Sequence, residues 1–230
     1  MSAILRERLG AVARLRSPAG SPPPKPASLA VRLVRLYAGL LMFGASLGLM
    51  VRARLGLSPW DVLNQGVARQ LGVQFGWIVI GVGALVLLLW IPLRQRPGFG
   101  TISNIVLVGL AVNWTLDLIH APAGLPARAA FLAGGVLLNA CATALYIGAR
   151  LGPGPRDGLM TGLAARGYSI GVVRTCIELA VLGIGFALGG TVGVGTLVYA
   201  AAIGPLVHLL LPRLTVNQQN EQPANHLEDR

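Results

Sequence analysis

Ala53-Arg54-Leu55-Gly56-Leu57-Ser58-Pro59-Trp60-Asp61-Val62-Leu63-Asn64-Gln65-Gly66-Val67-Ala68 is matched, 96 residues further on, by Ala149-Arg150-Leu151-Gly152-Pro153-Gly154-Pro155-Arg156-Asp157-Gly158-Leu159-Met160-Thr161-Gly162-Leu163-Ala164. Nine of the sixteen positions are identical, far beyond chance for two windows of one chain. Pro97-Gly98-Phe99-Gly100-Thr101 recurs as Val192-Gly193-Val194-Gly195-Thr196 at an offset of 95. Upstream, the apolar run from Leu36 to Val51 falls opposite Leu132 to Ile147. The chain is an internal duplication. Each copy holds an apolar run, an Arg-Leu-Gly-x-x-Pro-x-Asp stretch, a second apolar run, a Gly-x-Gly-Thr turn and a third apolar run. The copies occupy residues 31–122 and 126–213, between tails at 1–30 and 214–230.

Composition says what the runs are. Hydrophobic residues make up 54% of the chain and charged ones 12%, against about 25% charged in soluble domains. Six windows, near 33–51, 76–93, 101–119, 128–148, 170–188 and 195–212, are apolar and long. A hydrocarbon core about 30 Å thick takes about 20 helical residues. A lipid-exposed segment must also close its own backbone hydrogen bonds, so these runs are predicted as helices despite their Val and Ile content. The expectation is an all-α integral membrane protein with the lipid bilayer as its first partner.

The N-terminal tail carries Arg6, Arg8, Arg14 and Arg16, then a Ser-Pro-rich run up to Pro26. It has little to bury and reads as disordered. It makes a poor signal peptide, because the apolar run behind it is long enough to span and lacks a cleavage site. Net charge is +11, yet 18 of the 19 basic residues are arginines scattered over the tail and helix ends. Nucleic-acid binding would need one contiguous basic face with stacking aromatics, so none is expected. The arginines read as topology signals, and their excess after the even-numbered crossings places both termini in the cytoplasm. Cys141 and Cys176 fall inside spans without ligand spacing, so no metal site, cofactor or disulfide framework is expected. Trp77 and Trp90 bracket the second span, as interfacial indoles do.

The segment 58–71 sets the architecture. Ser58 suits an N-cap, Pro59 the first helical position and Asp61 the first turn, an order that Gly154, Pro155 and Asp157 repeat. Fourteen residues give roughly 21 Å, short of a crossing. Asp61, Asn64, Gln65, Arg69 and Gln70 are too polar for lipid, so the helix is either interfacial or a re-entrant element lining a cavity. Three spans per copy, an odd number, force the second copy to enter the membrane upside down. Two inverted repeats of three helices, each with one short helix, are the plan of many secondary transporters.

Leu55-Gly56-Leu57-Ser58-Pro59-Trp60-Asp61-Val62-Leu63, its second copy from Leu151 to Leu159, and the turns Gly98-Phe99-Gly100-Thr101 and Gly193-Val194-Gly195-Thr196 resemble the YitT/YczE-type family of bacterial integral membrane proteins, its YczE branch in particular. The resemblance covers about residues 30–212. It implies a multi-pass protein of the bacterial inner membrane, with no agreed activity and no catalytic residues.

For function, the N-termini of the two short helices are expected to face a shared central cavity. Asp61 and Asp157 would offset their positive ends, which points to a cationic or zwitterionic solute, or to a proton-coupled step. The plainer alternative has each Asp capping its helix and pairing with Arg54 or Arg150. Glu178 is placed mid-span, where an ionised carboxylate is costly and tends to be functional, with Arg174 in reach one turn earlier. Asn64, Gln65 and Thr161 complete the candidate binding set. Arg54, Gly56, Pro59, Gly100, Thr101, Arg150, Gly152, Pro155, Gly195 and Thr196 form the structural motif. Asp117 and His208 read as solvated at the faces, and Asn104, Asn113 and Asn139 as interhelical hydrogen bonders. Two functions follow: a small-solute permease or exporter, and a non-transporting scaffold or regulator of another membrane complex. A homodimer is compatible with either. An enzyme is disfavoured, since no Ser-His-Asp set, metal cluster or phosphate loop occurs.

Overall fold

A computed structural model of the protein describes residues 27–215. The readings of the tails at 1–26 and 216–230 lie outside the described residues. Within them the chain is helical: α1 (Leu29–Ala53), α2 (Pro59–Leu71), α3 (Phe75–Leu88), α4 (Trp90–Leu93), α5 (Phe99–Leu118), α6 (Leu125–Gly148), α7 (Pro155–Ala164), α8 (Ile170–Ala187) and α9 (Val194–Leu214). Six segments are long and apolar enough to cross a membrane: α1, α3 together with α4, α5, α6, α8 and α9. These are the six expected windows, with ends moved by a few residues. The largest move is at α1, which begins at Leu29 inside the segment read as tail. The short helices α2 and α7 stand where the Pro-x-Asp stretches predict them.

The central layer is built on α1 and α6. Leu36, Leu40, Leu47 and Met50 of α1 pack with Leu132 and Val136 of α6 and Val108 and Val112 of α5, all buried. Small residues let the backbones approach. A Cβ on Gly44 would stand 2.8 Å from the Val108 carbonyl oxygen, and one on Gly39 would stand 2.9 Å from the Tyr146 nitrogen. Asn139 donates to Ser46 at 2.8 Å and accepts from Tyr199 at 3.2 Å, tying α6 to α1 and α9.

Arginines close the helix ends. Arg32, at the start of α1, donates to the carbonyls of Ala149 and Arg150 at the end of α6, at 3.0 and 2.8 Å. Arg128, 96 positions later at the start of α6, donates to Ala53 and Arg54 at the end of α1, both at 2.7 Å. The two helices therefore run antiparallel, each capped by the other's arginine. Arg35 does the same for Leu214 and Arg52 for Leu116. Part of the arginine excess thus serves carbonyls that otherwise lack partners.

The turns are exchanged in the same reciprocal way. The Gly100 amide donates to the Leu151 carbonyl at 2.8 Å, and the Gly195 amide to the Leu55 carbonyl at 2.7 Å. Cβ atoms at Gly98 and Gly193 would come within 2.6 and 2.5 Å of those same oxygens, which is why each turn needs its first glycine. Arg54 and Arg150 adopt φ of 54° and 53°, and Gly56 and Gly152 adopt 122° and 128°. The spacing that the two copies of the motif share is thus a backbone shape that the opposite copy's Gly-x-Gly-Thr turn fits. Arg128→Ala is expected to cost about 1.5–3 kcal/mol, since it strips charge-assisted bonds from two carbonyls. Arg32→Ala should cost the same, and melting temperatures of the two variants in detergent should agree within a few degrees.

Candidate functional site

The N-terminal turns of α2 and α7 meet. Arg156 Nη2 lies 3.3 Å from Asp61 Oδ1, and the Arg156 guanidinium carbon sits 5.2 Å from the centre of the Trp60 ring, a cation–π contact. Positions 60 and 156 correspond in the duplication, so the two copies touch at equivalent points where one has become an indole and the other a guanidinium. The C-termini diverge. At the end of α2, Gln70 donates to Leu188 at 3.1 Å, while Arg166 just beyond α7 bonds to Pro92.

Asp61 is fully enclosed, at 1% exposure. Its carboxylate accepts from the Ser58 hydroxyl, from Asn64 Nδ2 at 3.4 Å and from Arg156. The Ser58 oxygen in turn accepts the Asp61 amide at 3.3 Å, the N-cap bond expected from sequence. Asn64 is also buried, and its Oδ1 has no partner among the described residues. The second copy has Gly154 and Met160 where the first has Ser58 and Asn64, so Asp157 lacks those local donors. Its partner is the Tyr146 hydroxyl at 3.1 Å. Burial pushes the Asp157 carboxyl above the usual carboxylate range, with the Tyr146 hydrogen bond and the nearby Arg174 and Arg156 opposing.

These turns border a cavity of about 400 Å³. Ser58, Pro59 and Trp60 line it from α2, and Gly154, Pro155, Arg156 and Asp157 from α7. Val79, Val82, Val86, Ile105 and Val108 form an apolar wall from α3 and α5. Arg174 and Glu178 line it from α8, joined at 2.9 Å, and Tyr199, Ile203, Val207 and His208 line it from α9. The wall therefore offers carboxylates and guanidiniums side by side, with apolar surface between them.

The candidate residues thus separate. Asp157, Arg174 and Glu178 reach the cavity, while Asp61 stands behind it and holds Arg156, with Asn64 bonded to Asp61. Gln65 lies elsewhere, accepting the Thr191 amide at 2.7 Å, and Thr161 bonds to its own helix at Gly158. Asp61 and Asp157 do not pair with Arg54 or Arg150, because those arginines sit in the turn before each short helix and serve through their backbone. Arg156 and Tyr146 were missed. The signal for Arg156 was available, a charged residue at the one motif position where the copies differ most. His208, read as solvated, lines the cavity, and Trp90, read as interfacial, is 2% exposed and donates to Pro155 at 3.0 Å. Among the described residues no three His, Cys, Asp or Glu side chains converge as metal ligands.

Residues 30–212 match the family of unknown function DUF6198, and the chain belongs to that family. An uncharacterized protein of Haemophilus influenzae is 42% identical over 177 residues, covering 76% of this chain and 81% of its own. The uncharacterized membrane protein YczE of Bacillus subtilis is 31% identical over 189 residues, 80% of this chain and 87% of its own, in keeping with the resemblance seen in the motifs. The uncharacterized protein YyaS of Bacillus subtilis is 24% identical over 181 residues, 76% and 89% of the two chains. No solved structure matches. The chain is a multi-pass membrane protein with bacterial relatives.

Proposed function

We propose that this member of the DUF6198 family is a carrier, a permease or exporter of a small zwitterionic or cationic solute, built as two inverted repeats with both termini cytoplasmic. The observation that carries the reading is the meeting of two short helices, one from each copy, at a single cavity that holds Asp157, Arg174 and Glu178. Antiparallel α1 and α6, three spans per copy and reciprocal turns support the inverted arrangement. In that arrangement α2 and α7 are re-entrant half-helices from opposite faces, the kind of discontinuity that transporters place at their binding sites.

The charges narrow the solute. Arg156 is engaged by Asp61, and Arg174 by Glu178, whereas Asp157 has a neutral phenol as its partner. The cavity thus has an acid left for an ammonium group, and a solute carboxylate would share Arg174, which is more than half exposed, with Glu178. The role is one of binding and passage, not of covalent chemistry.

The test is a thermal shift of the purified protein against amino acids, amines and neutral analogues. A ligand at 100 times its Kd stabilises by about 2.7 kcal/mol. Amines or amino acids are expected to stabilise and neutral analogues not to. Attraction to Asp157 requires the ionised form, which is present above its pKa, so affinity falls as pH drops through a value above the usual carboxylate range. Asp157→Asn should bind more weakly and lose that pH dependence while melting like the wild type. No shift with any compound, or an unchanged isotherm for Asp157→Asn, would favour the scaffold reading.

A further inference from the structure

The two copies are not packed alike. In the first, α3 is sealed to α5. The Gly76 amide, in the first turn of α3 where helix donors lack partners, donates to Asn113 Oδ1 at 2.7 Å. A Cβ on Gly76 would stand 2.0 Å from the Gly109 oxygen, and one on Gly109 would stand 2.4 Å from Ile80 Cγ1.

The Gly-x-Gly-Thr turns fix the offset at 95, so the counterparts of Gly76, Ile80, Gly109 and Asn113 are Gly171, Thr175, Gly204 and His208. Both glycines recur, and the fourth position is again a side chain able to accept a hydrogen bond. Yet the second seam stands open. Nothing lies within 4 Å of a Cβ on Gly204, and the nearest atom to one on Gly171 is Ser169 Oγ at 4.0 Å. The Gly171 amide has no acceptor among the described residues.

The same asymmetry shows in what holds α8. Its C-terminal end is wedged, a Cβ on Gly185 falling 2.4 Å from the Leu63 nitrogen, and Gly185 is the helix's one buried residue. Its N-terminal half follows Gly167 at φ 97° and is held on one side alone, where Ile177 packs on the Trp60, Val86 and Leu159 cluster, while Gly171, Val172, Thr175 and Cys176 are exposed. The gap opens on the cavity, with Arg174 and Glu178 on one lip and Gly204, Val207 and His208 on the other.

We propose that the N-terminal half of α8 closes onto α9 through Gly171, Gly204 and His208, as α3 closes onto α5 through Gly76, Gly109 and Asn113, so that the two seams are the opposed gates of the cavity. The purpose of the gates rests on the carrier reading; their closure does not. The open seam lies at the end where α8 begins and α9 stops, and the sealed one at the other end, where α3 begins and α5 stops. Closure swings Arg174 and Glu178 inward, from 58% and 32% side-chain exposure, towards the place that Val79 and Gly83 hold in the first copy. A half-exposed ion pair loses hydration on such a move. A solute whose charges replace that hydration therefore favours the closed gate.

The test is disulfide trapping in membranes, with Cys141 and Cys176 first replaced by alanine. Gly83→Cys with Ile105→Cys is the control, since a Cβ on Gly83 lies 3.7 Å from Ile105 Cβ, within the roughly 3.5–4.5 Å that a disulfide needs. The test pair is Glu178→Cys with Ala200→Cys, the counterparts of Gly83 and Ile105, which closure brings together without adding a Cβ to Gly171 or Gly204. In case that pair does not fold, Ala200→Cys alone is read by maleimide labelling: Ala200 is exposed, its counterpart Ile105 is buried, and closure should slow labelling severalfold relative to Gly204→Leu, Ala200→Cys, in which the seam cannot close. The control should cross-link fast, and the test pair more slowly but in most molecules. In the Glu178, Ala200 pair, His208→Ala should slow trapping severalfold and His208→Asn should restore it. A control that cross-links beside a folded test pair that does not, or equal labelling rates with and without Gly204→Leu, would overturn the gate. Because trapping needs no solute, a closing seam with no thermal shift removes the carrier and keeps the gate, and the reverse result does the opposite.

Discussion

Gly158→Val should destabilise the protein by about 3 kcal/mol or more, at the top of the range for an overpacked core. A Cβ at 158 would lie 1.9 Å from Trp90 Cζ2 and within 2.7 Å of two more atoms of the indole. The ring has nowhere to retreat, because it is buried and its nitrogen is held by the Pro155 carbonyl. The equivalent contact in the other copy has the sizes reversed, with Val62 of α2 facing Gly185 of α8. Drift in one partner has been matched across the interface by drift in the other. Trp90→Ala alone should cost roughly 3–5 kcal/mol through the space it leaves. The double variant Gly158→Val, Trp90→Ala should cost at least ~2 kcal/mol less than the two singles together, a coupling that adjacent groups show and distant ones do not. Reversible unfolding in mixed micelles measures it, and simple additivity would mean that positions 90 and 158 do not share a contact.

Asp61→Ala is the second large effect. It removes the acceptor for Ser58, Asn64 and Arg156 together, and breaking a buried ion pair costs about 3–5 kcal/mol. Arg156 keeps 27% of its side-chain surface, so the lower end of that range, about 3 kcal/mol, is the expectation. Asp61→Asn keeps the shape and the N-cap bond of Ser58 and should lose about half as much. Asp157→Asn should lose less than ~1 kcal/mol, since it gives up one bond to a phenol. Equivalent residues of a duplication are thus expected to differ severalfold in stability cost, and in the opposite order in solute binding. Equal melting temperatures for Asp61→Ala and Asp157→Ala would contradict this division of labour.

The spans were legible because a run of about 20 apolar residues has few alternatives, and the short helices because Ser58, Pro59 and Asp61 carry start signals in order. The pair Arg174 and Glu178 was legible too, from a spacing of four on a helix. The cross-copy contacts were not. Aligning the copies shows which positions correspond, but not that corresponding positions face each other, so Arg156 was passed over although it meets Trp60 and Asp61. Trp90 misled for a related reason. An indole at the end of an apolar run looks the same whether the neighbouring surface is headgroup or, as here, the first turn of α7. The open second seam has no trace in composition, since α8 and α9 are as apolar as α3 and α5.

The exchange of turns between the copies sets a clock on biogenesis. The Leu55 carbonyl waits for the Gly195 amide, which a ribosome reaches roughly 140 residues later, about 7–28 s at 5–20 residues per second. For about the first half of that interval the end of α1 lacks Arg128 as well as its turn, and water or a headgroup must serve its carbonyls. The N-terminal half should therefore stay open to quality-control proteases until the last helix arrives. A chain truncated before Val194 should be degraded even though five of its six spans have been made.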